Sequence, residues 1–146
     1  MVTPGGDTSN AELVKDAFEE WNSGEREAFL ARVDPDVEIT VASSQVSGGA
    51  PYRGHDGYRE WVQTMEDSFE TWELHPDTFE EGDDAVLVIG RMYLRGRSSG
   101  VELDQETGWI VDVREGRMSR LRSFLSHAEA RAVFESERSP GAHAEP

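Results

Sequence analysis

The stretch from Asp84 to Ser126 constrains the fold most, because it holds three extended runs separated by two turns. The first run, 85–97, is rich in Val and Ile, which favour the pleated surface of a strand. The second, 101–114, alternates between mostly apolar odd positions and charged even positions, so the two sets lie on opposite faces of a sheet. The third, 118–125, alternates again after the Glu115-Gly116 turn. Three long, adjacent antiparallel strands are therefore predicted.

Helical and strand patterns also divide the rest of the chain. Apolar side chains recur at helical spacing in three segments of the first half, at 10–22, 25–31 and 55–69. Alternation predicts two further strands at 37–41 and 72–80, and Pro76 assigns the second to a sheet edge or a bulge. A short helix is predicted over 127–137. This order predicts an α+β fold, with helices on one face of a curved, largely antiparallel sheet.

Length and composition place the chain in the class of single soluble domains. Its 146 residues suit one domain, predicted at 10–137, between a disordered N-terminus at 1–9 and a disordered tail at 138–146. The absence of cysteine excludes disulfides and Cys nucleophiles. The start lacks the pattern of a signal peptide and no apolar run reaches membrane-spanning length, so a cytoplasmic protein is expected.

The charge balance excludes several classes of partner. A net charge of −16 is unfavourable for nucleic acids and for anionic membrane surfaces, so neither partner is predicted. The acidic side chains are interpreted as a solvated face with cross-strand Arg–carboxylate pairs, while adaptation to a salty cytoplasm remains an alternative. The histidines are scattered without ligand spacing, so the sequence predicts no metal and no cofactor.

Short motifs along most of the chain resemble a known family. They are Phe18–Trp21–Asn22–Ser23–Gly24–Glu25, Asp34-Pro35-Asp36-Val37, Tyr52-Arg53-Gly54-His55-Asp56-Gly57, Gly82-Asp83-Asp84, Gly100-Val101-Glu102-Leu103 and Arg114-Glu115-Gly116-Arg117-Met118. With these motifs in this order, residues 10–135 resemble the SnoaL-like group of the nuclear transport factor 2-like superfamily. The resemblance implies a cone-shaped, curved, mixed or antiparallel sheet that wraps a pocket. Three helices of the N-terminal half close the pocket, a short C-terminal helix follows, and the protein is usually a homodimer, here expected through the sheet.

The catalytic residues of the family are not matched in this sequence. The resemblance covers isomerases, cyclases, dehydratases, epoxide hydrolases and members without known activity, so the fold alone does not determine the chemistry. The ketosteroid isomerase branch uses a tyrosine and two carboxyl groups. Motif spacing assigns these positions to Ala17, Val41 and Ile110, which cannot act as acids or bases. The epoxide hydrolase branch needs a buried Asp–Arg pair, whereas alternation places Arg91 and Asp112 outside.

The apolar faces of the predicted elements indicate a small-molecule pocket with a few polar groups. The candidate ligand-binding residues are Trp21, Tyr52, Tyr58, Trp61, Met65, Met92, Gln105, Thr107, Trp109, Leu121 and Ser123. Phe18, Val41, Val88, Ser119 and Leu125 share these faces, and Ser43 is expected at the rim. His55 is the candidate acid/base because imidazole titrates near neutral pH, and Tyr52 and Tyr58 are candidate hydrogen-bond donors. The alternative is that His55 caps a helix and that the aromatic side chains fill the core.

Three functions therefore remain open at the level of sequence. The favoured hypothesis is a SnoaL-like pocket that binds a small hydrophobic or aromatic metabolite without a recognisable catalytic set. A second is an acid/base enzyme of the polyketide cyclase, isomerase or hydrolase type, using His55 or a residue of the loop 42–56. The third is a structural dimer whose core is filled by its own side chains.

Overall fold

The computed structural model describes residues 9–41 and 51–143, with side chains described as far as residue 137. The helices are α1 (Asn10–Asn22), α2 (Arg26–Ala31), α3 (Gly54–Ser68) and α4 (His127–His143). The strands are β1 (Val33–Thr40), β2 (Tyr52–Arg53), β3 (Phe69–Glu81), β4 (Ala85–Gly96), β5 (Glu102–Arg114) and β6 (Arg117–Phe124). Within the described ranges these strands form one curved, unclosed sheet in the order β2-β1-β6-β5-β4-β3. The predicted α+β class is confirmed.

The long strands pair as the sequence predicts. Strands β3, β4, β5 and β6 form an antiparallel run, in which Trp109 of β5 stands opposite Val88 of β4 and Ser123 of β6. Strand β3 lies at the edge of the sheet, and its register shifts between Pro76 and Thr78, in agreement with the prediction from Pro76. Strand β1 pairs with β6 in parallel. Alternation does not encode strand direction, so this pairing was not predicted.

The sheet is covered on both faces, which corrects the expectation that helices occupy one face only. On the inner face, Trp109 and Val111 pack with the core cluster that includes α1 and α3 side chains. On the outer face, Ile110 packs in a second cluster with Ala130 and Phe134 of α4. One even position of β5, Ile110, is therefore buried as well. The α4 residues Ala130 and Phe134, four apart on one helix face, supply the apolar surface that covers it.

The boundary of α1 follows directly from local chemistry. The Ser9 hydroxyl accepts a hydrogen bond of 3.1 Å from the backbone N–H of Glu12, so Ser9 is the N-cap of α1. The helix ends at Asn22, and Gly24 follows with φ of +83°, the left-handed conformation that glycine adopts most easily. Residues 1–8, the rest of the predicted disordered start, lie outside the described residues.

Two other element boundaries differ from the sequence prediction. Strand β1 begins at Val33 rather than Val37, because the extended backbone that Pro35 favours is compatible with a strand and the pairing with β6 is irregular between Val33 and Glu38. Helix α4 continues to His143 rather than ending at Glu137.

An ion-pair network joins α4 to the outer face of the sheet. Arg122 of β6 donates two hydrogen bonds of 2.8 Å to the carboxylate of Glu137, and its guanidinium also lies 3.4 Å from the Asp112 carboxylate. Arg120 adds a bond of 3.0 Å to Asp112. The hydrogen bonds from Arg122 hold the pKa of Glu137 below its ordinary value of 4.5. The network therefore attaches the helix most strongly while Glu137 is ionised.

We expect Gly108→Ala to destabilise the protein by about 1–3 kcal/mol through overpacking. A Cβ at residue 108 would lie 2.5 Å from the Cβ of Ala130, so α4 would have to move away from β5. Urea unfolding should show that Ala130→Gly, which alone costs about 1 kcal/mol of helix propensity, partly offsets Gly108→Ala in the double variant. Strictly additive effects would contradict this packing.

We expect Glu137→Gln to lower the free energy of unfolding at pH 7 by about 1 kcal/mol. Charged hydrogen bonds contribute more when buried, but the Glu137 side chain is 46% exposed and solvent weakens the pair. A carboxyl group with a lowered pKa stabilises the fold above its unfolded pKa and loses that contribution as pH falls. The difference from wild type should therefore shrink below about pH 4.5. Glu135→Gln is the matched control, and an equal effect there would contradict the network.

Candidate functional site

A cavity of about 350 Å³ lies on the inner side of the sheet. Its lining comes from α1, α2, α3 and five of the strands, and most of it is aromatic or aliphatic. The aromatic lining residues are Phe18, Trp21, Phe29, Trp61, Phe69, Trp72 and Trp109. The side chains with polar groups other than tryptophan are Thr40, Gln105, Arg122 and Ser123. The cavity thus combines a large apolar surface with a few polar positions.

Three tryptophans form one wall of the cavity. The ring centroids of Trp21 and Trp61 are 5.4 Å apart in a stacked arrangement, and both rings meet Trp72 edge-to-face at 4.6 and 5.3 Å. The indole N–H of Trp72 donates to the sulfur of Met92 at 3.4 Å. In the described part of the chain, the buried indole N–H groups of Trp21 and Trp61 have no hydrogen-bond partner. This wall therefore holds two buried donors that no described residue satisfies.

Arg26 and Tyr58 support this wall from outside the cavity. The guanidinium of Arg26 lies 4.2 Å from the ring centroid of Trp21 and pairs with Glu66 at 2.8 Å. Tyr58, which is 1% exposed, stacks on Phe29 and donates its hydroxyl to the carbonyl of Arg26 at 3.1 Å. Burial raises the pKa of the Tyr58 phenol above its ordinary value of 10.0. Cation–π contact and aromatic packing together restrict the motion of Trp21.

The described lining contains no aspartate, glutamate, histidine or tyrosine. The segment 42–50, which lies outside the described residues, contains only Ala, Ser, Gln, Val and Gly and so adds no carboxylate or imidazole. Arg122 is the one ionisable residue of the described lining, and its guanidinium is paired with Asp112 and Glu137. Its strand partner is Ile110, which belongs to the outer face. Among the described lining residues, an acid/base pair is therefore not assembled.

The mouth of the cavity exposes apolar side chains. Leu103 and Leu125 line the cavity while remaining 46% and 44% exposed. Between them, the side-chain amide of Gln105 donates to the carbonyls of Glu106 and Leu125, at 2.8 and 3.3 Å. The amide nitrogen of Gln105 is thus occupied by bonds to backbone carbonyls. The exposed side chains beside it, Leu103 and Leu125, are apolar.

The structure brings most of the predicted ligand-binding residues to one cavity. Those in the lining are Trp21, Trp61, Met65, Met92, Gln105, Trp109, Leu121 and Ser123, together with the predicted neighbours Phe18, Val41 and Leu125. A role in ligand binding stays a prediction for each. Alternation in β5 predicts that Gln105 and Trp109 face inward and that Asp112 faces outward. The side chains lie on these faces in the structure.

Other predicted residues lie outside the lining, which corrects the pattern-based list. The Thr107 hydroxyl donates to the carbonyl of Gln105 at 2.9 Å, and the Thr107 residue is fully buried. Tyr58 packs behind the tryptophan wall, outside the cavity. Tyr52, Val88 and Ser119 are also absent from the lining. Ser43 lies outside the described residues. The reason is that the cavity occupies only part of the inner face, whereas alternation assigns every inward side chain to it.

His55 is also placed away from the cavity lining. Its Nε2 lies 3.0 Å from the carbonyl oxygen of Val33, and the residue is half-buried at the start of α3. This contact connects α3 to β1. The proposed acid/base role of His55 stays a prediction, but the described contact is structural.

Sequence reasoning missed several lining residues. They are Phe29, Ile39, Thr40, Phe69, Trp72, Leu74, Leu94, Leu103, Val111, Met118 and Arg122. The alternation that exposes Glu73 and buries Trp72 and Leu74 in β3 was readable in the sequence, yet that strand was considered only as a sheet edge. Motif spacing also selected Ile110 as the deep position of the sheet, whereas Trp109 and Val111 on either side of it line the cavity. Neither can act as an acid or base.

The family comparison agrees with this geometry. The model of the SnoaL-like domain matches residues 14–121. The chain belongs to the SnoaL-like family. Among functionally curated proteins, no sequence matches this chain. Neither a membrane-spanning helix nor a group of three metal-binding side chains is found in the described residues.

Solved structures with the same fold include SnoaL-like and nuclear transport factor 2-like proteins. One is a nuclear transport factor 2-like protein of unknown function from Burkholderia pseudomallei, with 21% identity, a TM-score of 0.72, and coverage of 82% of this chain and 92% of that chain. TerC, co-crystallised with polyporic acid, has 21% identity, a TM-score of 0.71, and coverage of 86% and 98%. A proposed polyketide cyclase from Xanthomonas campestris has 22% identity, a TM-score of 0.69, and coverage of 82% and 92%. At these identities the similarity establishes the fold.

We expect Tyr58→Phe to lower the free energy of unfolding at pH 8 by about 1 kcal/mol, because it removes the hydrogen bond to Arg26. The raised pKa of Tyr58 means that its neutral form stabilises the fold below pH 10 and that this contribution is lost as pH rises above 10. Urea unfolding from pH 8 to 11 should therefore show the advantage of wild type shrinking above pH 10. A constant difference across this range would contradict the burial of the phenol.

Proposed function

We propose that this SnoaL-like protein binds a small, hydrophobic, ring-containing metabolite in the inner cavity. The observation that carries the proposal is the cavity of about 350 Å³ with its mainly aromatic and aliphatic lining. Small-molecule sites commonly have volumes of roughly 300–1,000 Å³ and this type of lining, so the cavity suits a compact ligand. The volume also disfavours the hypothesis of a core filled entirely by its own side chains.

The packing of the lining supports binding with little rearrangement. Trp109 meets Phe18 edge-to-face at 5.2 Å, and Trp61 is held between Trp21 and Trp72. These contacts hold the aromatic surfaces in place before a ligand enters. A preformed apolar site loses little conformational entropy on binding, while the ligand gains about 25 cal/mol for each Å² of apolar surface removed from water.

The lining favours binding over acid/base catalysis. A general acid or base must come within hydrogen-bond reach of the reacting proton, directly or through one water. The described lining has no carboxylate or imidazole, and the segment 42–50 has none in its sequence. His55 contacts the carbonyl of Val33, which supports a structural role. We therefore propose a binding or carrier function rather than a cyclase, isomerase or hydrolase reaction.

A cytoplasmic homodimer remains an expectation from the sequence and from the family resemblance. The outer face of the sheet that such a dimer would use carries α4 and cross-strand ion pairs, including Arg91–Asp104 at 2.6 Å and Arg95–Glu102 at 3.6 Å. An interface there would be partly polar. Sedimentation velocity at low and high salt measures whether charged contacts hold two copies together.

We expect fused bicyclic aromatic compounds to raise the thermal stability of the protein. Ligand at 100 times its Kd adds about 2.7 kcal/mol to the free energy of unfolding, which is a shift of several degrees in Tm. Leu121→Trp should abolish the shift because the larger side chain occupies the cavity that Leu121 lines.

Arg117→Trp is the control, since residue 117 is an exposed position on the same strand. Calorimetric titration should give binding to wild type and to this control but not to Leu121→Trp. If no compound of a broad bicyclic and tricyclic panel binds wild type, the proposed function is wrong.

A further inference from the structure

We propose that the indole N–H groups of Trp21 and Trp61 donate hydrogen bonds to an uncharged carbonyl oxygen of the bound molecule. The ligand class would then be ring-containing ketones, quinones or lactones rather than pure hydrocarbons. The inference rests on the proposed binding function and adds the polar group that the cavity recognises.

The first argument is the state of the two donors. Trp21 is 1% exposed, and within the described residues its Nε1 and that of Trp61 are buried without a hydrogen-bond partner. Indole is a donor only, and a buried N–H normally has an acceptor. Both side chains line the cavity. A ligand acceptor would remove the cost of leaving these two groups unpaired.

The second argument is the contrast with the third tryptophan of the same wall. Trp72 also lines the cavity, but its N–H already has an acceptor, the Met92 sulfur at 3.4 Å. The wall therefore contains two free donors beside one that the protein satisfies. Because all three rings are in mutual contact, the difference is not one of burial or aromatic environment alone.

The charges of the lining residues favour a ligand whose hydrogen-bond acceptor is uncharged. Arg122 is the one cationic residue of the described lining. Its Nε is buried without a hydrogen-bond partner among the described residues, but its other two guanidinium nitrogens pair with Asp112 and Glu137, whose two carboxylates balance its positive charge. An anionic ligand would lose its hydration without gaining a free cation, which is costly in an apolar site. A carbonyl oxygen carries two acceptor lone pairs and no net charge, so it can accept one or both indole N–H groups at low desolvation cost.

The experiment compares two bicyclic molecules that differ in one oxygen, 1-tetralone and tetralin. In wild-type protein with ¹⁵N-labelled tryptophan, the four indole N–H resonances are recorded with each compound and assigned by single Trp→Phe variants. The N–H protons of Trp21 and Trp61 should move downfield with tetralone and not with tetralin. The Trp72 proton should respond alike to both.

Titration calorimetry tests the same inference through affinity. Wild type should bind tetralone about tenfold more tightly than tetralin, the scale expected for a buried donor that gains an acceptor. Trp61→Phe should reduce this preference, because it removes one of the two unpaired donors while keeping an aromatic ring in the wall. Trp72→Phe, the matched control, should keep the preference because it removes a donor that the protein already satisfies.

The outcomes separate the two proposals. Equal affinity for both compounds, or indole shifts that do not distinguish them, would overturn the carbonyl inference and leave the binding function in place. Loss of the preference in Trp72→Phe to the same extent as in Trp61→Phe would also overturn it. If neither compound nor any member of the wider panel binds, the binding function fails and the carbonyl inference fails with it.

Discussion

The strict alternation of β5 between two covered faces is the constraint on which the rest of the structure depends. Trp109 and Val111 face the cavity, while Ile110 faces α4 and Asp112 pairs with arginines of β6. A shift of one residue in register would exchange these two sets. It would bring a carboxylate inside and turn an indole towards α4. The apolar character of the cavity is therefore a consequence of register.

A second consequence is that charge and apolar surface are separated across the sheet. On the outer side, Arg122 pairs with Glu137 and so stabilises the attachment of α4, while Asp112 pairs with Arg122 within the sheet. On the inner side, the rings of α1 and α3 stack on each other and meet the ring of β3 edge-to-face beside the cavity. These aromatic contacts border a cavity of about 350 Å³. Within the described residues, the indole donors of Trp21 and Trp61 are unpaired.

The sequence predicted the elements of the fold more completely than the contents of the site. Alternation assigned Trp109 and Gln105 to the inner face, and both line the cavity. The same rule assigned Tyr58 and Thr107 to the lining, yet each is used in an internal hydrogen bond instead. Periodicity specifies which way a side chain points, but it does not specify where along a face the hollow lies. That position depends on contacts between residues far apart in the chain.

The sequence by itself determined the α+β class, the three long antiparallel strands, the opposite faces of Trp109 and Asp112 in β5 and the absence of the isomerase acids at Ala17 and Val41. These features depend on local periodicity and residue type, which a sequence contains directly. Only the tertiary structure decided the parallel pairing of β1 with β6, the packing of α4 on the outer face and the unpaired state of the Trp21 and Trp61 donors. Each of these depends on which residues, distant in sequence, come into contact when the sheet curves. The periodicity within a single strand or helix does not specify which other element it packs against.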